Sequence, residues 1–241
     1  MSISPEPAPE DETGPWAQPV VRFDAVACGR DGQGPRLRGL SFAFGPGSFH
    51  LITGPAGSGK TTLLRVICLA EPPLAGVTQV FGRDVATLSR KQTLRLRRRL
   101  GVALQPAAFL DHLSVWDNAA LVPRIVGRPR SDYAGEVDAV LKWLGLAKLA
   151  DSLPADLSAA ERHRLAIARA LANRPEVVLV DEPDDLDEAA RTRNLKHLRE
   201  VHGAGATVVL ATRDEAFARA SGLPVLRLQD GRSSLLEPAT P

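Results

Sequence analysis

Gly54-Pro55-Ala56-Gly57-Ser58-Gly59-Lys60-Thr61 sets glycines, a lysine and a hydroxyl at the spacing G-x-x-x-x-G-K-[ST]. These residue types suit a polyphosphate. Glycines allow backbone N–H groups to close around phosphate oxygens, and a helix N-terminus favours negative charge. Lys60 neutralises the β and γ phosphates, and the Thr61 hydroxyl is a hard oxygen ligand for a metal ion. The implied chemistry is binding of ATP or GTP with magnesium by residues 54–61 together with Thr62. The flanks, apolar Phe49–Thr53 before and Thr62–Ile67 after, read as the strand and helix that such a loop must join.

A nucleotide site also needs an acidic group at the end of a buried strand. Val177-Val178-Leu179-Val180 is a continuous apolar run of the kind found in central parallel strands, and Asp181-Glu182-Pro183 follows it. Asp181 is the candidate magnesium ligand. Glu182 is placed to polarise water for in-line attack on the γ-phosphate.

The elements that position these groups alternate. Short strands are expected over Val21–Val26 and Leu37–Phe44, then the strand entering the loop, forming a β-rich N-terminal layer. Helix is expected over Thr62–Ala70, strand over Gly76–Phe81, a basic helix over Thr87–Leu100 ending at Gly101, and a short strand, Val102–Gln105, ending in Gln105. Helical patterns dominate from there to about Leu157, including Glu136–Leu144, as a helical insertion at about 106–160. Helices at Arg162–Ala172 and Ala189–Val201, a buried strand at Ala206–Thr212, and a hairpin turning at Asp230-Gly231 complete the chain. The fold class is α/β with a mainly parallel sheet.

With 241 residues, 44% of them hydrophobic, the chain can bury one large core with a small satellite. Residues 1–19 hold five prolines and four acids, and read as a disordered acidic tail preceding a single domain over 20–241. Without that tail the balance is 30 basic to 24 acidic residues, which suits an acidic nucleotide or a membrane-proximal position and does not single out nucleic acid. On the basic helix, a solvated face is the favoured reading over nucleic-acid or lipid contact, because no interleaved aromatics accompany the charges. No apolar run is long enough to span a bilayer, and no signal-peptide order opens the chain, so a cytosolic or partner-held peripheral position is expected. Cys28 and Cys68 lack metal-ligand spacing and read as buried reduced thiols.

The order of motifs is P-loop, Gln105, a helical segment, Leu157-Ser158-Ala159-Ala160-Glu161, a helix, Asp181-Glu182-Pro183, Leu186-Asp187, then Ala211-Thr212-Arg213-Asp214. From about residue 20 to 237 it resembles the ATP-binding subunit of an ABC transporter, a P-loop NTPase with an N-terminal antiparallel β layer and an inserted helical subdomain. Leu96–Gly101 and Ser114–Asn118 look most like the FtsE-type cell-division branch; ATPases of lipoprotein-release and macrolide-export systems are similar. The resemblance implies ATP and Mg2+ as ligands, with Gln105 sensing metal and γ-phosphate and linking the site to a membrane partner. It also implies a homodimer on ATP binding, each site completed by Ser158 of the other copy. Independently, Ser158-x-x-Glu161 is a capping box whose helix N-terminus can present N–H groups to an anion. The expected partner is an FtsX-like integral membrane protein at the inner membrane, with division-ring proteins beyond it and no nucleic acid. An exporter motor and a non-hydrolysing ATP-gated scaffold are the alternatives.

Four departures from the family pattern stand out. Ala159 and Ala160 replace two signature glycines and add methyl groups where backbone should approach the opposing γ-phosphate, so weakened dimer closure and slow hydrolysis are expected. Arg213 replaces the switch histidine; it donates several hydrogen bonds and accepts none, which suits a γ-phosphate clamp and makes it, with Glu182, a catalytic candidate. The loop after Pro183 is one residue short, and the adenine-stacking aromatic falls near Arg30. Residues 106–122 are the expected partner-facing groove, where Phe109 and Trp116 read equally well as core of the helical subdomain.

Overall fold

The computed structural model describes residues 18–29 and 34–236. The strands are β1 (Val21–Gly29), β2 (Pro35–Phe44), β3 (Phe49–Thr53), β4 (Ala75–Val80), β5 (Arg83–Asp84), β6 (Leu100–Ala103), β7 (Val177–Asp181), β8 (Thr207–Ala211), β9 (Val225–Gln229) and β10 (Arg232–Leu236). The helices are α1 (Lys60–Ile67), α2 (Arg90–Arg97), α3 (Val115–Ala119), α4 (Leu121–Ile125), α5 (Arg130–Trp143), α6 (Ala159–Leu171), α7 (Glu188–Gly203) and α8 (Glu215–Ala220). The expected acidic tail and Arg30 lie outside the described residues, apart from Gln18 and Pro19 at the tail's end.

Two sheets form. One is antiparallel in the order β2-β1-β4-β5, the other runs β10-β9-β3-β8-β7-β6 with β10 alone antiparallel to its neighbour. The period of two along each central strand divides the core. Val177 and Leu179 of β7, with Val209 and Ala211 of β8, face a cluster that holds Leu63, Leu64 and Ile67 of α1 and Leu37, Leu40 and Phe44 of the antiparallel sheet. Val178, Val180, Val208 and Leu210 face the opposite way, onto Leu165 and Ile167 of α6 and Val137 and Leu141 of α5. Helix α1 is thus packed between the two sheets, and the helical segment covers the far face of the parallel one.

Two boundaries depart from expectation for local reasons. Ser89 and Gln92 form a capping box, so α2 starts at Arg90, and Val85–Thr87 is a separate 3-10 turn capped by Asp84. Leu100 and Gly101 belong to β6, paired with Val177 and Val178. Gly101 ends no helix; a Cβ there would lie 2.5 Å from the Ala170 carbonyl oxygen, so the glycine lets β6 and α6 approach. The C-terminal hairpin turns at Asp230 (φ 50°) and Gly231 (φ 75°), both left-handed as a two-residue I′ turn requires. Cys28 and Cys68 are buried and free. Among the described residues no helix is long and apolar enough to cross a membrane.

Candidate active site

In the parallel sheet β8 lies between β3 and β7, with Ala211 level with both Ile52 and Asp181. The ladder runs one residue further, through Thr212 N–H to Ile52 O and Glu182 N–H to Ala211 O, each 2.9 Å. This register brings the P-loop, Asp181-Glu182 and Thr212-Arg213-Asp214 to the carboxyl ends of adjacent strands, where ligands of open α/β sheets sit.

The loop after β3 holds Gly54, Gly57 and Gly59 at φ of 148°, 78° and 104°, and Gly59 is the N-cap of α1. A side chain at Gly54 would strike the Leu228 carbonyl, whereas a Cβ at Gly57 would meet nothing nearer than Arg36 Nη1 at 3.8 Å. The inner wall of the loop is therefore packed and its outer face open, the shape of a phosphate cradle. Lys60 Nζ donates to Gly54 O at 2.6 Å and Pro55 O at 3.0 Å, which spans the loop with a cation. Burial depresses the Lys60 ammonium and the nearby positive charge of Arg213 depresses it further, so an anion set between them relieves both effects.

Thr61 Oγ1 donates to Asp181 Oδ2 at 2.6 Å, so the hydroxyl and the carboxylate converge on one point. Burial pushes the Asp181 carboxyl upward, while Thr61 and Lys60 pull it back. Glu182 is buried next to it, and its Oε2 accepts from Thr212 Oγ1 at 2.6 Å. Burial raises its carboxyl as well, opposed by Thr212 and Arg191. Lys60, Thr61, Gln105, Asp181, Glu182 and Arg213 line one cleft of about 570 Å³. Arg213 Nη1 pairs with Asp184 Oδ2 at 2.5 Å, both side chains half exposed. Gln105 directs its amide toward buried His163 on α6, with Nε2 to Nδ1 at 3.4 Å.

Ser158 is exposed and does not line this cleft. It caps α6, with Oγ accepting from Glu161 N–H at 3.3 Å and the Glu161 carboxylate accepting from Ser158 N–H at 2.9 Å. Phe109 and Trp116 are each half core and half surface. Phe109 lies under the Arg169 guanidinium, and Trp116 lies beside Tyr133 with Nε1 donating to Asp138 at 2.6 Å.

Sequence reasoning missed Arg36, Arg65, Asp184 and Asp185 in the cleft and Arg191 behind it. Arg65 was within reach, one helical turn beyond Thr61 on α1. Arg36 arrives from the other sheet, and no local pattern announces it.

The family model described as ABC transporter matches residues 37–185. The chain belongs to the ABC transporter family. It is 36% identical over 213 residues to the cell division ATP-binding protein FtsE of Escherichia coli K12, which spans 88% of this chain and 96% of that protein. It is 39% identical over 198 residues to the lipoprotein-releasing system ATP-binding protein LolD of Novosphingobium aromaticivorans, covering 81% and 88%. Among solved structures it is similar to the dimeric post-hydrolysis state of the ATP-binding cassette MJ0796 bound to ADP and Pi, with TM-score 0.81, 28% identity and coverage of 91% of this chain and 99% of that one. ABC cassettes are ATP-binding ATPases, and the fold of this chain is that of the family.

Proposed function

We propose that the chain is the ATP-hydrolysing subunit of an FtsEX-like complex, coupling ATP-driven dimer closure to an FtsX-like membrane protein that controls cell-wall hydrolysis at division. The observation that carries the catalytic part is the convergence of Lys60, Thr61, Asp181 and Glu182 on one cleft at the strand ends. Likeness to FtsE over nearly the whole length of both chains supports the choice of system. Likeness to LolD supports a second reading, a lipoprotein-release motor with the same nucleotide chemistry.

In this reading the P-loop amides and Lys60 bind and orient the triphosphate of ATP. Thr61 and Asp181, all-oxygen donors that converge within 2.6 Å, fit a hard divalent ion, and Gln105 joins them from across the cleft. Thr61, Asp181 and Gln105 would hold magnesium, which would supply charge neutralisation to the bound triphosphate. Glu182 takes a proton from the attacking water as the new P–O bond forms and the bond to the β–γ bridging oxygen breaks, leaving ADP and phosphate. Arg213 exchanges Asp184 for the γ-phosphate and clamps it; Arg213→Ala hydrolysing ATP as fast as the parent would remove the clamp from this mechanism. The exposed Ser158 segment of a second copy completes each site, with Ala159 and Ala160 holding closure weaker than glycines would.

Coexpression with its genomic neighbour tests the partner. Copurification from detergent-solubilised membranes, lost without nucleotide, is expected; a wholly soluble chain that captures no membrane protein overturns the proposal. The captured partner's identity separates division control from lipoprotein release. Peripheral attachment at the inner membrane follows from that partner.

A further inference from the structure

Glu182 does not meet the cleft as a bare carboxylate. Its side chain is 2% exposed, and Oε2 has two partners: the Thr212 hydroxyl at 2.6 Å and Arg191 Nε at 3.1 Å, the latter an ion contact rather than an aligned hydrogen bond. Arg191, on α7, is itself fixed. Its Nη1 donates to Asp214 Oδ2 at 2.8 Å and its Nη2 to Leu186 O at 3.2 Å, and the guanidinium stands 5.6 Å from the centre of the Phe217 ring. Asp214 in turn caps α8 through Phe217 N–H at 2.8 Å, and its own N–H donates to Thr212 Oγ1 at 3.2 Å. Both partners of Oε2 are thus tied to the three-residue segment that carries Arg213.

We infer that Arg191 is a positioning residue for ATP hydrolysis, holding Glu182 Oε2 against Thr212–Asp214 so that Oε1 faces the attacking water. This rests on the reading of Glu182 as the general base. Two partners on one oxygen fix the rotamer, and a guanidinium suits the place because its planar fork reaches two carboxylates and a carbonyl at once, which an ammonium cannot do. The charge has a second effect. Burial raises the Glu182 carboxyl; Thr212 and Arg191 oppose the rise, and the negative charge of Asp214 works against them. Lys60, Asp181, Asp184, Asp185 and Arg213 are the other charged groups around the same cleft besides Arg36 and Arg65. When the 212–214 segment shifts, the base shifts with it, so Arg213 and Glu182 respond as one unit.

The test is steady-state ATP hydrolysis by the full chain, with kcat and KM measured separately, for the parent, Arg191→Met, Arg191→Lys, Asp214→Asn and Glu182→Gln. Arg191→Met should lower kcat between about tenfold and about a hundredfold, as a displaced catalytic group does. Its KM for ATP should stay within about twofold, since no ground-state contact is lost. Arg191→Lys, whose ammonium cannot span both carboxylates and the Leu186 carbonyl, should recover only part of that kcat. Asp214→Asn retains a capping side chain but loosens Arg191, and should lower kcat with KM again within about twofold. A merely structural role gives no such loss of kcat at unchanged KM. Parent-like kcat in Arg191→Met, or a KM rise that matches the loss of kcat, overturns the inference. Should Arg191→Met fail to fold, parent-like kcat in Asp214→Asn overturns it alone. Parent-like turnover in Glu182→Gln would sink the reading of the base. Lost turnover there, beside parent-like Arg191 and Asp214 variants, would sink the positioning role only.

Discussion

His163 offers a pH-dependent test of how the site is supported. It sits on α6 at 1% exposure, its Nδ1 beside Gln105 and its Nε2 without a partner among the described residues. Burial pushes the imidazole down to about 4, although the charge of Asp185 pulls the other way. The folded-state value lies below the ordinary 6.5 of the unfolded chain, so the unfolded state binds the extra proton. The stability this residue contributes is therefore fully present above pH 6.5 and is lost as pH falls toward 4. The difference between those two values corresponds to about 3 kcal/mol, of which about 2 kcal/mol is gone by about pH 5. His163→Gln keeps a neutral polar group of similar size that does not titrate. Urea unfolding of parent and variant at about pH 7.5 and about pH 5 isolates the effect, because the other titrating groups cancel in the comparison. The parent should lose about 2 kcal/mol more than the variant on acidification. An equal loss in both would refute the claim that a neutral buried His163 backs Gln105.

Other substitutions probe the loop and the signature. Gly54→Ala sets a Cβ 2.1 Å from the Leu228 carbonyl at φ 148°, and should cost about 3 kcal/mol in urea unfolding. The double change Ala159→Gly with Ala160→Gly should lower the protein concentration at which ATP drives dimer formation, read by light scattering in a Glu182→Gln background. Its helix cost should stay within about 2 kcal/mol, because both positions lie in the first turn of α6.

What the sequence made legible was local. The P-loop, the apolar run before Asp181 and the Ser158–Glu161 capping box are contiguous, and each carries its geometry in its own spacing. The continuous apolar run of β7 likewise announced a strand buried on both faces. Helix α8 escaped because it has six residues, and its cap, Asp214, was read only as part of a motif. Leu100 reads as the last helical residue and Gly101 as its stop, because a glycine after a basic helical run looks like a C-cap. Their pairing with β7 and the closeness of Ala170 are tertiary facts. Arg191 and Asp184 matter through contacts to Glu182 and Arg213 that arise only when α7 and the loops fold over the strand ends. Arg36 comes from the other sheet, and spacing along the chain says nothing about that.

The central claim is that this cleft hydrolyses ATP with Glu182 as its base, despite Ala159, Ala160 and Arg213. The most direct measurement is Mg-ATP turnover by the chain copurified with its membrane partner, beside Glu182→Gln, with ATP binding measured on both. The account predicts a measurable rate in the parent that falls at least about a hundredfold in the variant while ATP binding is retained. Equal, negligible rates with ATP bound in both would contradict it and leave an ATP-gated scaffold in place of a motor.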